Sequence, residues 1–216
     1  MKVEEMLGYV DHTVLKATAT WDEVKKLCEE AILYKTASVC IPPGYVKQVH
    51  DTFGSQINIC TVIGFPLGYN TTEAKVFEAK DAVLKGASEI DMVINVADVK
   101  NKDYEKVEKE IAALKEAVGS HILKVIIEAC YLTEEEKIAM CKAVTGAGAD
   151  YIKTSTGFGT SGAILEDIEL FKKHIGKDVK IKAAGGIRSI EALEAFIQAG
   201  CSRIGTSSAI AFLENE

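Results

Sequence analysis

The stretch Gly148-Ala149-Asp150-Tyr151-Ile152-Lys153-Thr154-Ser155 joins a helix stop directly to a short apolar run of strand character. Glycine at such a point suits the left-handed turn that ends a helix. The same joint recurs at Gly86-Ala87 and Gly200-Cys201, each leading into another β-rich run. Working outward, runs of this kind fall at 9–15, 37–41, 57–65, 88–95, 122–129, 150–155, 179–184 and 202–206, which predicts eight strands. Stretches of helical period separate them at 21–34, 44–53, 72–85, 103–118, 134–147, 163–175 and 189–199, with a short one from Ser207. In the third stretch Ala74, Phe77, Ala82 and Leu84 read as the covered face, and Glu73, Lys75, Glu78 and Lys80 as the exposed one. Eight strand–helix units leave roughly 27 residues each, close to the minimum, which fits an α/β fold of the parallel (β/α)8 TIM-barrel type. An open doubly wound sheet is the alternative, but its G-x-G-x-x-G mark after the first strand is missing. No linker composition interrupts the chain, so residues 1–216 read as a single domain.

Composition narrows the function. With 25 Lys+Arg against 32 Asp+Glu the formal charge is −7, and no basic stripe is present to displace counterions from a phosphate backbone. Nucleic acid is therefore not an expected partner. The start, Met1-Lys2-Val3-Glu4-Glu5, lacks the pattern of a secretory leader, and no apolar run approaches the length of a membrane span. Six cysteines, at 28, 40, 60, 130, 141 and 201, form no C-x-x-C pair and read as buried thiols of a reducing compartment. The expected location is the cytoplasm.

In a barrel of this kind function gathers where strands end, so charged residues inside apolar strands there are candidates. Lys153 and Lys182 sit in the later halves of neighbouring strands. Strand four puts Asp91, Val93 and Asn95 on one face, and strand five groups Lys124, Ile126 and Glu128. A lysine in a strand is commonly a snorkelling residue, and Lys180 near its strand's start fits that reading. An inward ammonium in a closed sheet, however, needs a partner or must lose its proton. Two converging lysines offer Schiff-base chemistry, which requires a neutral amine. At the ordinary lysine pKa of about 10.4 only about 0.04 % is neutral at pH 7. Reaching neutrality costs the charged form roughly 4 to 5 kcal/mol, which a second ammonium plus desolvation can supply.

The last loops carry a second signal. Strand seven runs into Gly185-Gly186-Ile187-Arg188-Ser189, and strand eight into Gly205-Thr206-Ser207-Ser208. Glycines admit a close ligand, and helix N-terminal amides with serine hydroxyls donate to an anion, the usual phosphate site of this fold. Gly157 and Gly159 add further amides. Ordinary turn and cap chemistry explains either loop alone, whereas the adjacent pair points to a phosphorylated small molecule. His12, His50, His121 and His174 make no metal-ligand cluster, and no metal or other cofactor is expected.

These residues together resemble the deoxyribose-phosphate aldolase family of class I aldolases. The resemblance runs almost end to end, through Asp11-His12-Thr13-Val14-Leu15-Lys16, Thr61 to Gly68, Glu89 to Asn95, Lys124 to Glu128, Ile152 to Phe158, Lys182 to Arg188 and Ile204 to Ser208. It implies reversible cleavage of 2-deoxy-D-ribose 5-phosphate to D-glyceraldehyde 3-phosphate and acetaldehyde on a (β/α)8 barrel. By motif, Lys153 would form the Schiff base, Lys182 would lower its pKa, and Asp91 would relay protons. Gly157, Gly185, Gly186, Ser207 and Ser208 would form the phosphate region, with Asp11, Thr13 and Lys124 as polar neighbours. A homo-oligomer, a dimer in the first instance, is the family expectation. Some members end in a terminal tyrosine implicated in proton transfer, whereas this chain ends Phe212-Leu213-Glu214-Asn215-Glu216. The rival readings are another phosphosugar enzyme on the same barrel and a non-catalytic phosphate-ligand binder.

Overall fold

The structure, a computed structural model, describes residues 1–210. A short helix α1 (Val3–Leu7) precedes β1 (Val10–Thr13), and the chain then alternates: α2 (Trp21–Tyr34), β2 (Ser38–Ile41), α3 (Val46–Phe53), β3 (Ile59–Ile63), α4 (Thr72–Leu84), β4 (Glu89–Val93), α5 (Val96–Lys100), α6 (Tyr104–Val118), β5 (Ile122–Ile126), α7 (Glu134–Gly146), β6 (Tyr151–Lys153), α8 (Leu165–His174), β7 (Lys180–Ala184), α9 (Ile190–Ala199) and β8 (Arg203–Thr206). The eight strands are all parallel and pair in chain order. Asp11 of β1 lies opposite both Ser38 of β2 and Gly205 of β8, so the sheet closes. The (β/α)8 barrel read from the sequence is the observed fold.

Alternation along the strands sorts the side chains into two shells. Ile59, Ile90, Met92, Leu123, Val125, Ile152, Ile181 and Ile204 point outward and are buried under the helices, in one continuous apolar layer. Each such aliphatic side chain contributes about 1.5–3 kcal/mol. The opposite positions point into the barrel. The interior holds a small apolar group, Cys40, Cys60 and Val62, and is otherwise dominated by charge. Threonine caps set the helix starts: Thr20, Thr71 and Thr133 accept from the backbone N–H three residues on. Among the described residues no helix is long and apolar enough to cross a membrane.

Several sequence readings are corrected. The strands are shorter than their apolar runs, because the ends of those runs turn into loops. Thr154 leaves β6 to exchange hydrogen bonds with Ala184, its hydroxyl donating to the carbonyl and accepting from the N–H. After β5 the chain bends at Glu128, whose φ of +48° ends the extended run. Helices α1 and α5, each of five residues, are too short to show a period, and α1 is held by burial of Met6 and Leu7. The short helix expected from Ser207 falls largely on residues outside those described, as does the chain end discussed above.

The face of α4 is also corrected. Phe77 and Leu84 are exposed, and Lys75, Ala79 and Ala82 are buried. Lys75 turns inward because its ammonium finds Glu110 Oε1 at 2.8 Å and the Val93 carbonyl at 2.9 Å. Its carbon stem runs along Gly64, where φ is +61° and an added Cβ would sit 2.9 Å from Lys75 Cε, so only glycine fits. Burial pushes the Lys75 amine down, and Glu110 works against it. Glu110→Ala would leave a buried ammonium without its carboxylate, so it is expected to cost about 3–5 kcal/mol. Urea unfolding measures this, and an unchanged midpoint would show the pair to be unimportant.

Candidate active site

Seven charged side chains from six strands meet inside the barrel. Asp91 of β4 is at the centre. Its Oδ2 accepts from Lys153 Nζ and Lys182 Nζ, each at 2.7 Å, and its Oδ1 accepts from Lys124 Nζ at 2.8 Å and Cys60 Sγ at 3.1 Å. Asp11 of β1 accepts from Lys182, from Arg203 Nη1 at 2.6 Å and from Ser38 Oγ at 2.7 Å. Glu89 pairs with Lys124 at 2.6 Å and with Arg203 at 2.9 Å. Four cations thus face three carboxylates, which leaves one positive charge in excess when all are ionised.

The cations are not equivalent. Burial works against the Lys182 ammonium, but Asp11 and Asp91 outweigh it and hold the proton above the ordinary lysine range. Lys124 is held likewise, against burial, by Asp91, Cys60, Asp11 and Glu89. Among the described residues Lys153 meets one carboxylate oxygen, and it shares that oxygen with Lys182. It is also the lysine of the three that lines the adjoining cavity, of about 590 Å³. Asp91 itself is pushed up by burial, yet Lys124, Lys153 and Lys182 together hold it well below the usual carboxylate range.

Gly157, Gly185, Gly186, Ser207, Ser208, Thr13 and Arg188 line the same cavity. The amides of Gly157, Gly186 and Ser207 donate to no protein acceptor among the described residues. The loops after β6, β7 and β8 therefore bring free donors to one wall, and Lys153 supplies an amine at its base. Asp11 and Lys124, grouped with the phosphate residues by motif, are instead fully buried in the ion cluster beneath that wall. Asn95 is turned away, capping α5 through Ala97 N at 3.1 Å. Lys180 is exposed and lies 5.7 Å from the Tyr151 ring. Arg203 and Glu89 were missed by the sequence reading, although each is a charge inside an apolar strand, the criterion that found Asp91. Two sets of donor atoms, Cys40-Cys60-Asp91 and Asp11-Cys60-Glu89, are close enough to hold a metal. Their carboxylates already bind lysine and arginine, so the donor chemistry there favours ammonium and guanidinium as the cations.

The profile of the DeoC/LacD family aldolases matches residues 5–211. The chain belongs to this aldolase family. Among family relatives, the deoxyribose-phosphate aldolase of Clostridium botulinum strain Alaska E43 is 66 % identical over 216 residues, covering 100 % of this chain and 98 % of the relative. That of Clostridioides difficile strain 630 is 60 % identical over 214 residues, covering 99 % and 98 %. Of solved structures, the aldolase QR15 superposes with a TM-score of 0.93 at 38 % identity, covering 98 % of this chain and 95 % of that one. The tetrameric deoxyribose phosphate aldolase of Aeropyrum pernix gives 0.89 at 32 % identity, covering 99 % and 92 %.

The charge cluster has a pH signature. Asp11 and Asp91 ionise at lower pH in the folded protein than in the unfolded chain, so their stabilisation is present above about pH 4 and lost as pH falls below it. At the other end, burial pushes the thiols of Cys28, Cys141 and Cys201 up to about 12, while unfolded thiols ionise near 8.5. Stability is therefore lost as pH rises from about 8.5. Urea midpoints measured from pH 3 to 11 should form a plateau between these limits and fall on both sides.

Proposed function

We propose that the chain is a class I aldolase, on one (β/α)8 domain, that reversibly cleaves 2-deoxy-D-ribose 5-phosphate to D-glyceraldehyde 3-phosphate and acetaldehyde. The observation that carries this reading is the asymmetry of the lysines. Lys182 is doubly paired and keeps its proton, whereas Lys153 shares its one carboxylate oxygen and faces the cavity. Lys153 is thus the lysine of the cluster that a carbonyl carbon in the cavity can reach, while Lys124 and Lys182 are held in the buried ion pairs beneath it. The names of the relatives above support the substrate.

In the cleavage direction the Lys153 amine adds to the C1 aldehyde, and loss of water gives an iminium. The C2–C3 bond then breaks, its electron pair moving through C2 to the iminium nitrogen to form an enamine. The C3 hydroxyl proton leaves as that bond breaks, and glyceraldehyde 3-phosphate departs. Asp91 lies beneath the cavity with both oxygens occupied and stays ionised, so a cavity water takes the C3 hydroxyl proton and carries it on toward C2, with the charge of Asp91 favouring the passing proton. Protonation of the enamine at C2 and hydrolysis release acetaldehyde and restore Lys153. Throughout, the phosphate is held by the amides of Gly157, Gly186 and Ser207 and by the Ser207 and Ser208 hydroxyls, with Gly185 letting the backbone approach. Thr13 lines the same cavity, its hydroxyl donating to the Asp11 carbonyl at 2.8 Å, and it orients the sugar. Asp11 and Lys124 act indirectly, by keeping Lys182 and Asp91 charged.

A homo-oligomer is the proposed assembly, supported by the tetrameric Aeropyrum pernix relative. The cytoplasm is the proposed location, supported by six free cysteines.

Borohydride reduction in the presence of 2-deoxyribose 5-phosphate should fix a substrate fragment on the peptide carrying Lys153, read by mass spectrometry. An unmodified Lys153 would overturn the mechanism. Lys182→Met should lower turnover at pH 7 at least about a hundredfold, with the residual rate climbing toward alkaline pH, since an ordinary lysine is about 0.04 % neutral there.

A further inference from the structure

Glu128 stands two residues beyond β5 and takes part in none of the steps above. Its backbone is left-handed, with φ +48° and ψ +63°, a conformation that costs a non-glycine residue about 1–3 kcal/mol. Its carboxylate is buried, yet among the described residues no lysine, arginine or histidine pairs with it. Its two close partners belong instead to one residue: Oε1 accepts from Thr156 N at 3.1 Å, and Oε2 accepts from the Thr156 hydroxyl. That hydroxyl accepts in turn from Phe158 N at 3.0 Å. A hydroxyl has one hydrogen, so donating it to Glu128 aims a lone pair at Phe158.

The carboxylate thereby engages the amide of Thr156 directly and that of Phe158 through the hydroxyl. Between them, at φ +87°, the Gly157 amide has no protein acceptor among the described residues and sits on the cavity wall. The packing is tight around this arrangement: an added Cβ on Gly159 would lie 3.1 Å from Glu128 Oε1. Phe158 then meets the Phe65 ring edge-on at 5.4 Å, joining this turn to the loop after β3.

We infer that Glu128 is a positioning residue for the phosphate-binding turn: by accepting from both hydrogen-bond donors of Thr156 it presents the Gly157 amide to the substrate's phosphate. The inference rests on the phosphate reading proposed above. It explains why a strained backbone and an unpaired buried carboxylate sit where no reacting atom is touched. A carboxylate rather than an amide is needed because both of its oxygens accept. A glutamine has a single accepting oxygen, so one of the two Thr156 donors would lose its acceptor and face an NH2 instead.

The test is the preference for 2-deoxyribose 5-phosphate over unphosphorylated 2-deoxyribose, taken as the ratio of kcat/KM values. Glu128→Ala should lower that ratio about tenfold, with KM for the phosphorylated sugar rising more than kcat falls and inhibition by inorganic phosphate weakening in parallel. Thr156→Val should do the same, Thr156→Ser should restore most of the preference, and the Glu128→Ala/Thr156→Val double variant should lose little beyond either single change. If Glu128→Ala does not fold, Glu128→Gln carries the same comparison with a smaller loss. A wild-type preference that survives unchanged in the Glu128 variants, or additive losses in the double variant, would overturn the inference alone. A wild-type enzyme with no preference for the phosphorylated sugar would overturn the phosphate reading and this inference with it.

Discussion

A surplus cation buried inside a closed sheet is the constraint on which the molecule depends. Moving a charge out of water costs several kcal/mol even after relaxation. The barrel carries seven, and it tolerates them because nearly every donor meets an oxygen at hydrogen-bond distance. Asp91 has the least freedom of all, with three lysines and a thiol on its two oxygens. The arrangement is not a neutral salt lattice, because four cations outnumber three carboxylates. Among the described residues the cation with fewest partners, Lys153, is also the one at the cavity.

Stability and reactivity are therefore supplied by different shells. The aliphatic layer between sheet and helices holds the fold, and it is continuous around the barrel. The interior is organised for charge, with only Cys40, Cys60 and Val62 forming an apolar group of their own. Loops at the cavity end are tied down from outside the site: Lys75 and Glu78 of α4 hold Gly64, and Glu128 holds Thr156. At Glu128 the support is polar and buried, and removing either partner leaves a desolvated group unsatisfied, so that loop has little room to relax.

Much of this was legible in the chain. Short β-rich runs alternating with helical periods, and glycine joints before the strands, specify the eightfold unit because secondary-structure period and turn chemistry are local properties. Lys153, Lys182 and Asp91 stood out because charge inside an apolar strand has no local explanation. Lys75 did not, because helical periodicity places a lysine outside unless a partner awaits it inside. Glu110, 35 residues further on, is that partner. Arg203 was passed over in the same way, although its neighbours in β8 are apolar or small.

The sequence by itself determined the order of strands and helices, the parity that turns the key lysines inward and the glycine-rich ends of the last three strands. Only the tertiary structure decided which carboxylate each cation meets. The pairs join residues as far apart as Asp11 and Arg203, 192 positions along the chain, and such distances become contacts only when β1 closes against β8. The same closure separates the lysine held between two carboxylates from the one beside the cavity. Local sequence cannot encode that distinction, since each is simply a lysine in the later half of a strand.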